Sequence, residues 1–448
     1  VPGPIRGSGL AAGHNSPMSD PADSTSIVVR GGGPLEGTVA VAGAKNSALK
    51  LMAATLLAEG TYRLRNVPRI TDVDLMADVL RELGCDVHWD DPAPAATDTT
   101  LVVDVPAEIT PVAPYDVVER FRASIVVLGP LLARCGEARV ALPGGDDFGS
   151  RPIDMHLKGL EKLGAEFEIR HGDITARAPQ LLGTHVTLEF PSVGATENLL
   201  MAAARAKGVT VVENAAREPE IADLCEMLNK MGAHVGGSGS PTLTIEGTDD
   251  PDGLHPADHT VIADRIEAAT FLCAVGITGG EITVRGARHE HMAMLCQKLG
   301  EMGMRISPDA DGIWAFAPRR LTAADCSTLP YPGLATDYKP FLVTLLATTE
   351  GTGIVTENIF RGRFRYVDEL RRMGADIHTD DHHAVVRGVE RLSGAPVRAH
   401  DIRAGAALVI AGLAADGETV VGGAEHVARG YDDLPGKLTS LGGAVSLA

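Results

Sequence analysis

Cysteine is sparse and scattered in this chain of 448 residues: Cys85, Cys135, Cys225, Cys273, Cys296 and Cys326, with no Cys-x-x-Cys pair and no histidines at zinc-finger spacing. That pattern excludes a disulfide scaffold and a structural zinc module, and reads as the reduced thiols of a cytoplasmic protein. Basic residues are also in deficit, forty against fifty-nine acidic, for a net charge of −19. Such a balance argues against nucleic acid or an anionic membrane as the main partner, while leaving room for a local basic pocket. The longest apolar stretches, 124–133 and 407–415, fall well short of the roughly 20 residues of a membrane-spanning helix. Aromatics are scarce too, at 4%. Residues 1–25 are rich in Gly, Pro, Ser and Asp and lack the basic start and apolar run of a secretory signal. They are expected to be a disordered leader or an expression remnant.

What remains, 44% hydrophobic and 22% charged, is the composition of a globular protein, and its length exceeds what one hydrophobic core usually serves. An amphipathic helix ending in Leu-Gly or Met-Gly, then a strand, recurs six times, at Gly84, Gly164, Gly232, Gly303, Gly374 and Gly442. The intervals are 80, 68, 71, 71 and 68 residues, too large for common solenoid repeats. A second phrase, out of phase with the first, is an Ala-rich helix closed by Gly60, Gly136, Gly208, Gly280, Gly351 or Gly417 and followed by an alternating strand. Each unit therefore reads as helix, strand, helix, strand, with Gly as the left-handed stop of each helix. The Ala- and Gly-rich helices lack a polar face and belong inside, with sheets outside. Six units divide into two domains of three, and the cleft between such domains is a favoured ligand site.

Several segments place charge where the repeat predicts apolar or turn residues. In Gly43-Ala44-Lys45-Asn46-Ser47 a lysine opens a helix, where its ammonium and the backbone N–H groups can face an anion. A solvated lysine is the plain alternative. Arg122 enters an otherwise apolar helix as either a surface cap or an inward anion ligand. The Gly-rich loop 142–156 holds Asp146, Asp147 and Arg151 before Pro152, a composition that suits a mobile lid or a plain surface loop. Ser192, Val193 and Gly194 stand at a strand-to-helix junction where backbone N–H groups could take a phosphate, though the P-loop ending is missing. Asp264-Arg265-Ile-Glu267, Thr336-Asp337, Arg361-Gly-Arg363, Asp401-Ile-Arg403 and Arg429-Gly complete the set. Arginines beside small residues can reach into a cleft, and several together suit a substrate carrying both phosphate and carboxylate.

From about Ile27 to Val445 the chain resembles the UDP-N-acetylglucosamine enolpyruvyl transferase family, and more distantly enolpyruvylshikimate-phosphate synthase. The resemblance rests on GAKNSAL, LPGG followed by SRPIDMH, PSVGATEN, ENAAREPEI, DRIEAATF and DIRAGAAL, in that order. It implies a two-domain inside-out α/β barrel of six βαβαββ-like units, three per domain. Residues 45–262 would form a nucleotide-binding domain with a mobile loop, and 26–44 plus 263–448 a second domain. The activity implied is transfer of the enolpyruvyl group of phosphoenolpyruvate to the 3′-hydroxyl of a uridine nucleotide, without metal or cofactor. Lys45, Arg122, Arg151 and Arg429 would surround the phosphate, and Arg363 and Arg403 the carboxylate. Asn46 and Asp337 would meet the acceptor hydroxyl, with Asp337 as a base of raised pKa. Arg122, Arg151, Pro152, Ile153, Asp154, Ser192, Val193, Gly194 and Ile359 would hold the acceptor.

Asp146 stands where the family usually has a cysteine, and would serve as proton donor. A carboxylate is a poorer nucleophile than a thiolate, so the cysteine-alkylating epoxide fosfomycin is expected to fail. Arg69, Ala335, Arg361-Gly362 and Ala428 also depart from the family's usual residues. Together they are what an enzyme adapted to a shorter acceptor such as UMP would show. A non-catalytic nucleotide-binding relative is the reading of another class. The retained Lys45, Asp337, Arg403 and Arg429 weigh against it.

Overall fold

The computed structural model describes residues 25–90, 99–118, 122–142, 153–248, 250 and 252–448. The second unit shows the plan. A two-residue strand, Val112–Ala113, leads to the buried helix Leu128–Cys135 and the long strand Glu137–Ala141. The amphipathic helix Asp154–Lys162 follows, then strands Glu166–Arg170 and Asp173–Arg177. The short strand pairs in parallel with the long one, and the last two strands add antiparallel. Six four-stranded sheets repeat this pattern. Two strands thus complete each unit beyond the helix–strand–helix–strand phrase legible in the glycine spacing. All twelve repeat glycines have φ between 72° and 122°, where a Cβ would strain the backbone.

Composition decides which helix goes inside. Every residue of Ile402–Leu413 is buried, and its glycines are required by close approach. A Cβ on Gly405 would stand 2.7 Å from Val427 Cγ2, and one on Gly412 2.9 Å from Val29 Cβ. By contrast Thr71–Glu82 buries Val73, Met76, Val79 and Leu80 and exposes Arg81 and Glu82, the stripe of a helix lying on a core.

Buried apolar residues form two clusters. One runs from Ala48 to Val261, the other takes Ile27–Val41 and Ile266–Val445. The chain passes between them twice, and at each passage it leaves a strand behind. Leu35–Ala40 pairs with Gly280–Arg285 of the second core before the chain enters the Lys45–Ala54 helix of the first. His259–Thr260 pairs with Gly60–Arg65 of the first core before the chain enters the Arg265–Thr278 helix of the second. Ser26–Arg30 inserts between Glu418–Gly422 and Ala444–Leu447, so the two ends of the described chain close the sixth sheet.

Candidate functional site

One cleft of about 660 Å³ lies between the cores, and each of the six units brings to it residues at or just before the start of its buried helical segment. Lys45, the short helix Arg122–Val127, Val193, Arg265, Asp337 just before Lys339, and Arg403 are the first-turn residues lining it. Converging N-termini raise the potential for an anion. On a chain of net charge −19 they focus positive charge in one place.

Two buried carboxylates organise the cations. Asp72, 3% exposed, receives Lys45 Nζ at 2.7 Å and Arg429 Nε at 2.8 Å, joining one core to the other. Burial alone would raise the Asp72 carboxyl, but Lys45 and Arg429 outweigh it and hold it below the usual carboxylate range. Burial lowers the Lys45 ammonium from its ordinary value, helped by Arg403 and Arg429. On the opposite wall Asp337 accepts from Arg363 Nη1 at 2.9 Å and faces Arg403 Nε at 3.5 Å. Here the sequence expectation of a raised carboxyl is corrected. Burial pushes Asp337 up, yet Arg363 and Arg403 hold it well below the usual range. Arg403 Nη1 is buried without a hydrogen-bond partner among the described residues.

The loop carrying Ile359 and Arg363 is fixed from beneath. Glu357 accepts from the backbone of Ile359 at 2.7 Å and Phe360 at 3.1 Å, from Thr336 Oγ1 at 2.7 Å, and from Lys339 at 2.9 Å. Lys339 also donates to the Arg363 carbonyl. Both partners of this ion pair are fully buried, so Ile359, Arg363 and Asp337 share one rigid mount.

In the first core, Gly194 meets His156 so closely that a Cβ there would stand 2.9 Å from the ring. His156 Nδ1 lies 2.8 Å from Asn198 Nδ2, and burial with the nearby Arg122 lowers the ring to about 4. Asn198 also receives Gly129 N at 2.7 Å, tying two buried helices together. Glu197 lines the cleft with both carboxylate oxygens buried and without a hydrogen bond among the described residues, Lys50 standing at 3.7 Å. Burial raises it to about 7. Arg265 and Glu220 pair across the cleft at 3.0 and 3.3 Å.

The cleft brings together Lys45, Asn46, Arg122, Ser192, Val193, Gly194, Asp337, Ile359, Arg363, Arg403 and Arg429. Ile153 and Asp154 open the helix that carries His156 but do not line the cleft, and Asp154 pairs with Lys158 at 3.4 Å. Asp146, Arg151 and Pro152 lie outside the described residues. Of the four family departures only Ala335 lines the cleft. Arg69 and Ala428 line a separate cavity of about 340 Å³, and Arg361 pairs with Asp381 in solvent. Asp72, His156 and Glu197 were not singled out from sequence. Asp72 had a usable signal, since it lies on the same helix face as Leu75, Met76 and Val79, an acid in an apolar stripe. One group able to meet a metal stands among the described residues, Asp86 and His88 exposed and Asp104 half-buried, and it does not line the cleft.

Residues 29–438 match the family EPSP synthase (3-phosphoshikimate 1-carboxyvinyltransferase). The chain is 54% identical over 422 residues to a UDP-N-acetylglucosamine 1-carboxyvinyltransferase of Nocardia farcinica, covering 94% of this chain and 98% of the relative. It is 52% identical over 419 residues to the enzyme of that name from Mycobacterium bovis, with 94% and 98% covered. Among solved structures, the enolpyruvyl transferase NikO from Streptomyces tendae superposes with a TM-score of 0.83 at 28% identity, covering 95% of this chain and 99% of that one. An EPSP synthase from Acinetobacter baumannii, at 19% identity and a TM-score of 0.71, covers 95% and 100% and shares the fold. With its six repeats, its two cores and a cation-lined cleft between them, the chain belongs to the EPSP synthase family of enolpyruvyl (1-carboxyvinyl) transferases.

Proposed function

We propose that this enzyme transfers the enolpyruvyl group of phosphoenolpyruvate to the 3′-hydroxyl of UDP-N-acetylglucosamine and releases phosphate, the first committed step of peptidoglycan synthesis. The observation that carries the reading is the pair of carboxylates, each set between two cations from different segments: Asp72 between Lys45 and Arg429, Asp337 between Arg363 and Arg403. Cations arranged in that way suit a small polyanion with a phosphate at one end and a carboxylate at the other. Lys45, Arg122, Arg151 and Arg429 take the phosphate. Arg363 and Arg403 take the carboxylate, Arg403 offering its unpartnered Nη1. Asn46, Ile153, Asp154, Ser192, Val193, Gly194 and Ile359 seat the acceptor.

In the reaction the acceptor oxygen bonds to C2 of the enolpyruvyl group while the methylene carbon gains a proton. The bond from C2 to the phosphate oxygen then breaks, the methyl group returns a proton, and the vinyl ether forms. Asp337 accepts the hydroxyl proton. Its low proton affinity in the unliganded cleft is set by Arg363 and Arg403. Once the substrate carboxylate shares those arginines their hold on Asp337 weakens, and its basicity rises at the step that needs it. Asp146 donates to the methylene carbon.

UMP is the competing acceptor. Three of the four departures that pointed to it do not line the cleft, and the 54% identical relative carries the sugar nucleotide in its name. Both weigh toward UDP-N-acetylglucosamine. Phosphate release from phosphoenolpyruvate, compared with UDP-N-acetylglucosamine, UMP and no acceptor, tests this. Release with the sugar nucleotide alone is expected. Release with UMP alone reassigns the acceptor, and silence with both ends the transferase reading.

A further inference from the structure

The two passages between the cores, residues 41–44 and 261–264, run side by side. Gly43 and Ala263 form an antiparallel bridge, Ala44 N donates to Ile262 O at 2.6 Å, and Asp264 N to Ala42 O at 2.9 Å. There is no slack at the crossing, since a Cβ on Gly43 would stand 1.8 Å from Asn66 O. Buried carboxylates hold both strands. Asp223, on the first-core helix Pro219–Lys230, accepts from Ile262 N at 3.3 Å, from His259 Nε2 at 2.8 Å and from Ser47 Oγ. Glu267, on the second-core helix Arg265–Thr278, accepts from Ala42 N at 2.8 Å and from Lys437 Nζ at 2.6 Å. Asp264 joins the two sides, accepting from Lys45 N at 3.2 Å while capping its own helix. Each core therefore pins the strand that leaves it, and the pinned crossing runs directly into Lys45.

We infer that Asp223 and Glu267 are positioning residues for the transfer reaction. They fix the angle between the cores at the crossing, so that Lys45 of the first core and the arginines of the second meet one substrate in register. The inference rests on the function proposed above. Neither residue lines the cleft, so neither touches substrate. Their effect is confined to the relative placement of groups that do, where an error of about 1 Å costs roughly a hundredfold in rate.

The hydrogen-bond pattern at Asp223 makes Asn a sharp test. Lys230 Nζ stands 3.1 Å from His259 Nδ1. An ammonium can only donate, so Nδ1 accepts and Nε2 carries the hydrogen given to Asp223. In Asp223→Asn the new amide N–H group is kept off the His259 side by Nε2–H and turns to the side shared by Ser47 Oγ, which can accept from it, and the Ile262 N–H, which cannot. The side chain keeps its shape and one pin is lost. In Glu267→Gln the carbonyl can still accept from Ala42, while Glu267→Ala removes the pin.

The experiment measures kcat, the KM for phosphoenolpyruvate, the Kd for UDP-N-acetylglucosamine by calorimetry, and hydrogen exchange at the Ile262 and Ala42 amides of the unliganded protein. Asp223→Asn and Glu267→Ala are expected to lower kcat/KM for phosphoenolpyruvate tenfold or more, to leave the sugar-nucleotide Kd within twofold, and to speed exchange at the amide each one pins. Glu267→Gln is expected to rescue kcat/KM to within threefold of wild type. The inference is overturned if both disruptive variants keep kcat/KM within twofold, or if kcat/KM and the calorimetric binding stoichiometry fall together in proportion to the folded fraction. Exchange separates this from failure of the parent reading. A wild type that transfers nothing, with exchange responding as expected, sinks the transferase assignment and leaves the pins. Exchange that ignores both substitutions sinks the pins.

Discussion

Asp337 and Glu197 sit in the same cleft, the first half-buried and the second fully buried, and end with opposite proton affinities. Burial pushes both carboxyls up. Asp337 is nevertheless held well below the usual range because Arg363 and Arg403 flank it, whereas Glu197, with Lys50 at 3.7 Å and no hydrogen bond among the described residues, rises to about 7. Desolvation sets the direction only until a charge partner comes within contact distance. The cleft therefore holds clamped ions at Asp337 and at Asp72, and one carboxyl, Glu197, raised by burial. A substrate with two negative ends can exchange with the clamps without uncovering a bare charge.

The largest effect that would break this comparison lies at Asp337. Asp337→Asn keeps the shape and removes the base, and is expected to lower kcat by about 10²- to 10⁴-fold. Free Asp337 stays ionised across the working pH range. It rises only when the substrate carboxylate shares Arg363 and Arg403, so its acid limb should appear in kcat, which reports the complex, and not in kcat/KM, which reports the free enzyme. A pH profile of both constants checks the claim. An acid limb in kcat that survives Asp337→Asn assigns it to another group.

Glu197 sharpens the same comparison. Its folded carboxyl titrates above the model-peptide value of 4.5, at about 7, so the folded state keeps a proton that the unfolded state has lost. Stability from this group is complete below pH 4.5, falls as pH rises to 7, and the loss amounts to about 3 kcal/mol. Glu197→Gln, which cannot ionise, should match wild type in chemical denaturation at pH 4.5 and exceed it by about 1–3 kcal/mol at pH 8. The lower figure applies where Lys50 misses its anion. Equal gains at the two pH values would mean that the carboxyl is not protonated in the fold.

These contrasts were only partly legible in the sequence. The repeat glycines were, because a left-handed helix stop leaves few alternatives and recurs at fixed spacing. All twelve have positive φ. The cations were legible as exceptions to an apolar pattern, and Lys45, Arg363, Arg403 and Arg429 do meet in one cleft. What failed was the sign of the Asp337 shift, since a flanking pair of arginines 26 and 66 residues further along the chain is a tertiary fact. Glu197 and Asn198 escaped notice because, within TEN, a polar run on a buried helix looks like its start. The place of the crossing at 41–44 and 261–264 came only with the family resemblance, which divides the chain at 44/45 and 262/263, because the repeat pattern does not say which strand is exchanged between cores. Of the carboxylates that pin it, Asp223 gave no signal, and Glu267 stood out only as a charge within Asp264-Arg265-Ile-Glu267.

The smallest expected effect concerns a surface arginine–carboxylate pair, Arg361 and Asp381, at 2.6 Å with side chains 75% and 40% exposed. It has the same chemistry as Arg363 and Asp337 and lowers Asp381 in the same direction, yet water screens it. Arg361→Ala should therefore leave stability, kcat and the KM for either substrate unchanged within error, although Arg361 departs from the family's usual residue. Ala335→Pro, at the one departure that lines the cleft, is the matched control. If Arg361→Ala alters the preference between UDP-N-acetylglucosamine and UMP while Ala335→Pro does not, acceptor choice is made outside the cleft and the reading of these departures must be reversed.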